Sequence, residues 1–329
     1  MKGPPPGWPA AEIDLLLQAL YLPAPRARQA WARWSETRSF DAATFGEARL
    51  LGALARRLQE LAPESPHLAR LRGIARADWT RTQVTLEASL PAIDLLRERK
   101  IPFLLFGAAS EHAAGRGRDR LLTQLDVLVP ATYRPAAVET LTHGAWQGLS
   151  PLPAARASSH ATVALHDEPH GRVALRASAL PPFYGTAAQD RDLWTSAIET
   201  ELGGRRVSVP SPEHGTLLSL GWGAREDGGS WGLELGRRLA EAPPDWSEVV
   251  DAARRWRLVT ATLGGLRYLH RSLELPVPPS CLHSLEETAT RWSERISYRS
   301  HLGGRSATAP SRRLVAHFAD RLLRLQNGN

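Results

Sequence analysis

The chain has 329 residues, of which 43% are hydrophobic and 23% are charged. This composition is typical of a folded protein with a sizeable core, and it excludes an intrinsically disordered chain. No stretch reaches the roughly 18 uninterrupted apolar residues of a membrane span, and residues 1–9 lack the apolar segment of a signal peptide. We therefore expect a cytoplasmic protein without membrane contact.

Arginine carries nearly all the positive charge. Lysine and arginine total 41 against 34 acidic residues, a formal net charge of +7, and Lys2 and Lys100 are the two lysines of the sequence. The sequence therefore lacks a G-K-[ST] phosphate-binding loop. The arginine excess has two explanations: a codon bias, or a surface that binds anions through guanidinium groups. Because the arginines are not clustered, we do not expect a nucleic-acid partner. The single cysteine, Cys281, excludes an intrachain disulfide.

The N-terminal part of the chain has the apolar spacing of α-helices. Apolar side chains recur three to four residues apart at 13–20 and 50–58, and a long amphipathic run follows from Leu68 to Glu98. Pro91 lies inside that run. Because proline lacks the N–H group that a helix interior needs, we expect Pro91 to break or kink the helix. Residues 1–99 are thus predicted to form a helical region.

Residue 101 marks a change in the apolar pattern. Residues 101–106 and 125–129 are short apolar runs typical of buried strands. We predict that the two strands are neighbours in one sheet and that Gly107 begins the connection between them.

Further turn signals and short apolar runs complete the middle of the chain. They predict a helix at 135–142, a hairpin of 160–166 with 171–176, and a strand pair at the Gly203-Gly204 turn. From Pro212 onwards the pattern is again mostly helical. The sequence therefore indicates an α+β protein with a small mixed sheet in residues 100–210, between helical regions at 1–99 and 211–329.

Four segments, in this order, resemble a known protein family. They are IPFLLFGAAS at 101–110, RLLTQLDVLVP at 120–130, GRVALRAS at 171–178 and VSVPSPEHGTLLSL at 207–220. Their order and spacing resemble bacterial nucleotidyltransferase-like proteins of the DNA polymerase β superfamily, in an uncharacterised branch often found in peptide natural-product gene clusters. The resemblance covers about residues 10–285. It implies a nucleotidyltransferase-like sheet and, in standard members, a Mg²⁺-bound nucleotide.

The resemblance also implies three metal-binding carboxylates, and this sequence retains one of them. The D-x-D pair of the family pattern falls on Gln124 and Asp126, its third carboxylate on Ala174, and a following histidine on Arg176. An amide offers Mg²⁺ a carbonyl oxygen but no charge, and an arginine repels it. We therefore expect no metal ligands, no cofactor and no standard Mg²⁺-dependent nucleotidyl transfer.

Three functions remain open for such a site. The leading hypothesis is a degenerate metal site that binds an anionic ligand, or a peptide or protein partner, in a bacterial biosynthetic pathway. An alternative is an active transferase that uses a nucleotide or phosphorylated substrate, with Mg²⁺, in the same cleft. The third is an altered, metal-free activity in which Asp126 is the base or the electrostatic anchor. Whether the protein is an enzyme therefore stays open.

Candidate ligand-binding residues surround the predicted Gly107 turn. A glycine turn after a strand can expose backbone N–H donors, and nearby guanidinium groups add positive charge. We predict that ligand is bound by Gly107, Ser110, Arg116, Arg118, Arg120, Gln124 and Arg176, and that Asp126 is the catalytic residue if any activity is retained. For Arg176 there is a second interpretation, in which it forms an ion pair with Asp126 and closes the site.

Overall fold

The computed structural model describes residues 9–148, 162–180, 187–223 and 229–290, together with residues 292, 294, 295 and 298. Its helices are α1 (Ala11–Tyr21), α2 (Ala24–Thr37), α3 (Phe45–Leu61), α4 (Leu68–Glu98), α5 (Ala108–Ala113), α6 (Arg134–His143), α7 (Ala187–Thr195), α8 (Pro212–Gly223), α9 (Gly229–Glu241), α10 (Trp246–Arg255), α11 (Val259–Ser272) and α12 (Pro279–Glu287). Its strands are β1 (Leu104–Phe106), β2 (Leu125–Leu128), β3 (Gln147–Gly148), β4 (Thr162–Asp167), β5 (Gly171–Arg176), β6 (Ile198–Leu202) and β7 (Arg205–Val209). Within these residues, no helix is both long enough and apolar enough to cross a membrane.

The chain divides into two compact units. The helical unit comprises Met1–Ala75, Phe183–Gln189 and Pro212–Asn329, and the sheet unit comprises Arg76–Pro182 and Asp190–Ser211. Helices combine with a five-stranded and a two-stranded sheet, so the α+β class predicted from the sequence is confirmed. The division of the chain into three consecutive regions stays a prediction.

A capping box begins α3 in the helical unit. The Thr44 hydroxyl accepts the N–H of Glu47, and the Glu47 carboxylate accepts the N–H of Thr44. Glu47 is only 1% exposed, and it also accepts the Trp34 indole N–H and forms an ion pair with Arg38. Burial disfavours the charged carboxylate, but hydrogen bonds from Thr44, Arg38 and Trp34 outweigh burial and lower the pKa of Glu47.

Helices that are distant in sequence pack together in the same unit. The Tyr268 hydroxyl on α11 donates a hydrogen bond to Asp14 on α1 at 2.6 Å. The Tyr21 hydroxyl donates to the carbonyl of Leu233 on α9 at 2.8 Å. Tyr268 is buried, so its bond satisfies a hydroxyl group that has little access to water, and Tyr21 is partly buried.

The five-stranded sheet of the other unit has the strand order β1-β2-β5-β4-β3. Strand β2 is antiparallel to β1 and parallel to β5, while β4 is antiparallel to β5 and to β3. The predicted pairing of the first two strands is confirmed, and so are the β4–β5 hairpin and the β6–β7 pair. Residues 160 and 161 of the predicted hairpin lie outside the described residues.

One face of this sheet packs on α4. Leu90 and Ile93 of the helix and Val127 of β2 are part of one buried apolar cluster. Of the predicted break or kink at Pro91, the break is wrong, because α4 continues through this residue from Leu68 to Glu98, and the kink stays a prediction. A proline costs a helix about 3 kcal/mol. Burying each large apolar side chain next to it contributes about 1.5–3 kcal/mol, so packing outweighs the missing hydrogen bond.

Candidate functional site

Asp126 lies on the sheet face opposite the apolar core. Side chains alternate along β2, so Leu125 and Val127 join the core while Asp126 is on the other face, 19% exposed. The Asp126 Oδ1 atom accepts three hydrogen bonds: from Gln124 Nε2 at 3.0 Å, from Arg176 Nε at 3.0 Å and from Arg176 Nη2 at 2.7 Å. The structure therefore brings together three of the residues that the sequence predicted for the site.

Arg176 connects three neighbouring strands. In the parallel β2–β5 pair, Asp126 is the partner of Ala174 and Leu128 is the partner of Arg176. The guanidinium group reaches back to Asp126, and its Nη1 donates to the hydroxyl of Thr162 on β4 at 3.2 Å. This arrangement is the ion pair that the sequence analysis gave as the second interpretation of Arg176.

Gly107 forms the turn between β1 and α5, as predicted. Its φ of +60° and ψ of −137° are a conformation that residues with a Cβ rarely adopt. A Cβ built at this position would lie 3.6 Å from Asp126 Oδ2, so the turn lies beside the carboxylate. The Ser110 hydroxyl donates to the Gly107 carbonyl at 2.8 Å and thereby supports the turn.

The predicted loop arginines have different surroundings. Arg116 forms an ion pair with the buried Glu111, with 2.9 Å between Nε and Oε2. The backbone carbonyl of Arg120 lies 2.7 Å from His112 Nε2, which ties the loop to α5. Arg118 is exposed, and no residue in the described part of the chain forms an ion pair with it. The structure thus pairs Arg116 with Glu111 of α5 rather than with Asp126.

Two polar residues of this region were not predicted from the sequence. Thr162 accepts a hydrogen bond from Arg176, and Glu111 pairs with Arg116. The position of Thr162 could have been found by counting across the predicted hairpin turn, because the antiparallel register places it opposite Arg176. Glu111 gave no such signal, since a spacing of five residues is not a helical neighbour.

The carboxylate content of the site is low. Among the described residues there is no group of three or more His, Cys, Asp and Glu side chains that could hold a metal ion. The polar groups that meet at Asp126 are one carboxylate, one amide and one guanidinium. These groups can hold each other in place and can offer hydrogen bonds to a ligand.

Comparison with known sequences assigns the chain to a family. Residues 42–274 match a family described as uncharacterised nucleotidyltransferases. This match covers well over half of the chain, and the protein belongs to that family. The resemblance inferred from the sequence segments is confirmed to that extent, and the fold is nucleotidyltransferase-like. No curated protein matches the chain.

Proposed function

We propose that this protein has a nucleotidyltransferase fold but binds its ligand without Mg²⁺-dependent nucleotidyl transfer. The observation that supports this proposal is the double hydrogen bond from Arg176 to the Asp126 carboxylate, at 2.7 and 3.0 Å. In a metal-dependent member of the superfamily, the corresponding carboxylate would face the ion.

The residues present do not fit a divalent cation. Two-metal chemistry uses about three carboxylates that converge on the ions. Here Asp126 is joined by the Gln124 amide, and Ala174 lies beside it in the sheet. A guanidinium group at hydrogen-bonding distance places a positive charge next to the remaining carboxylate, and this charge repels a second cation. We therefore derive no catalytic step through a metal.

The ligand class that we propose first is an anionic small molecule. Arg118, on the loop between α5 and β2, is exposed and has no ion-pair partner among the described residues, so its guanidinium group is available to a phosphate or carboxylate. A peptide or protein partner of a bacterial biosynthetic pathway is the second class, and the pathway itself rests on the resemblance of the sequence segments.

A second candidate function is a transferase that uses a nucleotide or phosphorylated substrate at the same site. One observation favours it: no described residue donates a hydrogen bond to Asp126 Oδ2, so this oxygen is open to the hydroxyl group of an attacking substrate.

Calorimetric titration of ATP, CTP, GTP and UTP, with and without Mg²⁺, tests the proposal. We expect Mg²⁺ to leave any measured affinity unchanged within about twofold, because the site offers the ion a single carboxylate. An affinity that rises tenfold or more with Mg²⁺ would contradict the proposal and support the transferase. A variant with Gln124→Asp, Ala174→Glu and Arg176→His rebuilds the family pattern, and we expect it to gain Mg²⁺ dependence.

A further inference from the structure

We propose that Asp126 Oδ2 is the acceptor for a hydroxyl group of the bound ligand. This inference rests on the proposed function, because it assigns a chemical feature to the ligand of that site. It starts from a difference between the two carboxylate oxygens of Asp126 in the number of hydrogen bonds that they accept.

The Oδ1 atom of Asp126 has no lone pair left to accept a further hydrogen bond. A carboxylate oxygen has about two lone-pair directions, and Oδ1 already receives one bond from Gln124 and two from Arg176. These three donors hold the carboxylate plane in place. The Oδ2 atom accepts no hydrogen bond from any residue in the part of the chain that the structure describes, although the side chain is 19% exposed.

Two small residues, Gly107 at the turn and Ala174 on β5, lie beside Asp126, and Phe106 on β1 is its partner on the other side. Gly107 lies beside Oδ2, and a Cβ there would come within 3.6 Å of it. The glycine backbone conformation, with φ at +60°, disfavours any larger residue at this turn. Ala174, the partner of Asp126 in the neighbouring strand, has only a methyl group. A ligand atom can therefore replace the water molecule that would otherwise hydrate Oδ2.

The charges around Oδ2 select a neutral donor. A carboxylate or a fully deprotonated phosphate group has no proton to offer to a carboxylate oxygen. An ammonium group is disfavoured as well, because Arg176 already neutralises Asp126 and would repel a second cation. A hydroxyl group donates a hydrogen bond and brings no charge. Together with the anionic class proposed above, this indicates a hydroxyl-bearing anion, such as a sugar phosphate or a nucleotide.

The decisive variant is Asp126→Asn, which keeps the shape of the side chain. Its oxygen can still accept from Arg176 and Gln124, and its NH₂ group then replaces Oδ2 and turns the acceptor into a donor. Affinity is measured in the presence of EDTA with two hydroxyl-bearing probes, ATP and ribose 5-phosphate. The matched probes without these hydroxyl groups are 2′,3′-dideoxy-ATP and methyl phosphate, with all titrations at about pH 8 so that no phosphate ester carries a proton.

We expect wild type to bind ATP or ribose 5-phosphate about 10- to 100-fold more tightly than the matched probe, which is the range for one hydrogen bond to a charged group. In the Asp126→Asn variant this preference falls to about fivefold or less, because the NH₂ group can form only a hydrogen bond between neutral groups with the hydroxyl oxygen. The affinity for the matched probe is unchanged or higher because a negative charge is gone. Gly107→Ala reduces the preference in the same direction. Asp94→Asn, the same change in an ion pair with Arg205, leaves the preference intact.

Each probe distinguishes a source of the hydroxyl group. A preference seen with ATP alone identifies a nucleotide, and a preference seen with ribose 5-phosphate alone identifies a sugar phosphate. The inference is overturned if wild type shows no preference for either hydroxyl-bearing probe, or if Asp126→Asn weakens both members of a pair equally. Because EDTA is present, these outcomes do not depend on the Mg²⁺ titration that tests the proposed function.

Discussion

Glu47 in the helical unit and Asp126 in the sheet unit both pair with an arginine, yet their oxygens are satisfied differently. Glu47 Oε1 accepts from Trp34 at 2.9 Å and from Arg38 at 3.2 Å, and Oε2 accepts from the Thr44 N–H at 2.8 Å and from Arg38 at 3.2 Å. At Asp126 all three bonds go to Oδ1. The first carboxylate is almost completely buried, and the second is partly exposed.

This difference separates a structural carboxylate from a candidate binding group. A buried charge is tolerated when each of its oxygens has donors, as at Glu47. When one carboxylate oxygen has no donor from the protein, water or a ligand supplies the missing hydrogen bond. The comparison predicts that changes at Glu47 act on stability and that changes at Asp126 act on binding.

The largest expected effect is the loss of stability in Glu47→Ala. Removing this buried carboxylate leaves Trp34 and the Thr44 N–H without their acceptor, and we expect unfolding free energy to fall by about 3 kcal/mol. Asp126→Ala should lose about 1 kcal/mol or less, because its partners keep some contact with solvent. Urea unfolding of both variants measures the two values, with Glu47→Gln as an isosteric control. Equal losses of unfolding free energy in Glu47→Ala and Asp126→Ala would contradict the distinction between a structural carboxylate and a binding group.

An intermediate effect is expected for Arg176→Ala. The ion pair with Asp126 is partly exposed, so we expect a stability loss of about 1 kcal/mol. If Arg176 also contacts an anionic ligand, the variant binds phosphate-containing ligands more weakly than wild type does. Calorimetry with ATP and with inorganic phosphate gives the comparison. Equal binding by the two proteins would show that Arg176 is only a structural partner of Asp126.

The smallest effect concerns pH. The pKa of folded Glu47 lies below its ordinary value of 4.5, so the unfolded chain takes up a proton first as pH falls. The stabilisation from this carboxylate is therefore present above pH 4.5 and is lost as pH falls through the lower pKa of the folded state. We expect unfolding free energy to drop more between about pH 6 and about pH 3.5 in wild type than in Glu47→Gln. If wild type and Glu47→Gln lose the same unfolding free energy over this range, Glu47 is not the cause of the pH dependence.

Local pattern was sufficient to predict much of the sheet and part of the site. The turn residues predict the hairpin of β4 and β5, and the apolar runs together with the family resemblance predict β1 beside β2. The pairing of Arg176 with Asp126 was one of two stated interpretations, because the family pattern places both residues on neighbouring strands. The hairpin depends on short-range regularities that the sequence carries directly, whereas the pairing of Arg176 with Asp126 depends on the family pattern.

Other features depend on tertiary packing and could not be predicted. The continuity of α4 through Pro91 follows from apolar side chains on both sides of it that are buried against the sheet. The donor role of Gln124 was not foreseen either. An amide can donate or accept a hydrogen bond, and the position of the Asp126 carboxylate decides that Gln124 donates. The Glu111–Arg116 pair depends on the loop conformation, which has no periodic signal.

The most direct test of the ion pair as a replacement for the metal site is a crystal soaked with millimolar Mn²⁺. The rebuilt variant, with Gln124→Asp, Ala174→Glu and Arg176→His, serves as the positive control in the same crystal form. We predict no anomalous Mn²⁺ peak within coordination distance of Asp126 in wild type, because one carboxylate held by a guanidinium cannot satisfy a divalent cation. A peak at Asp126 in wild type would contradict the account and would support metal-dependent nucleotidyl transfer.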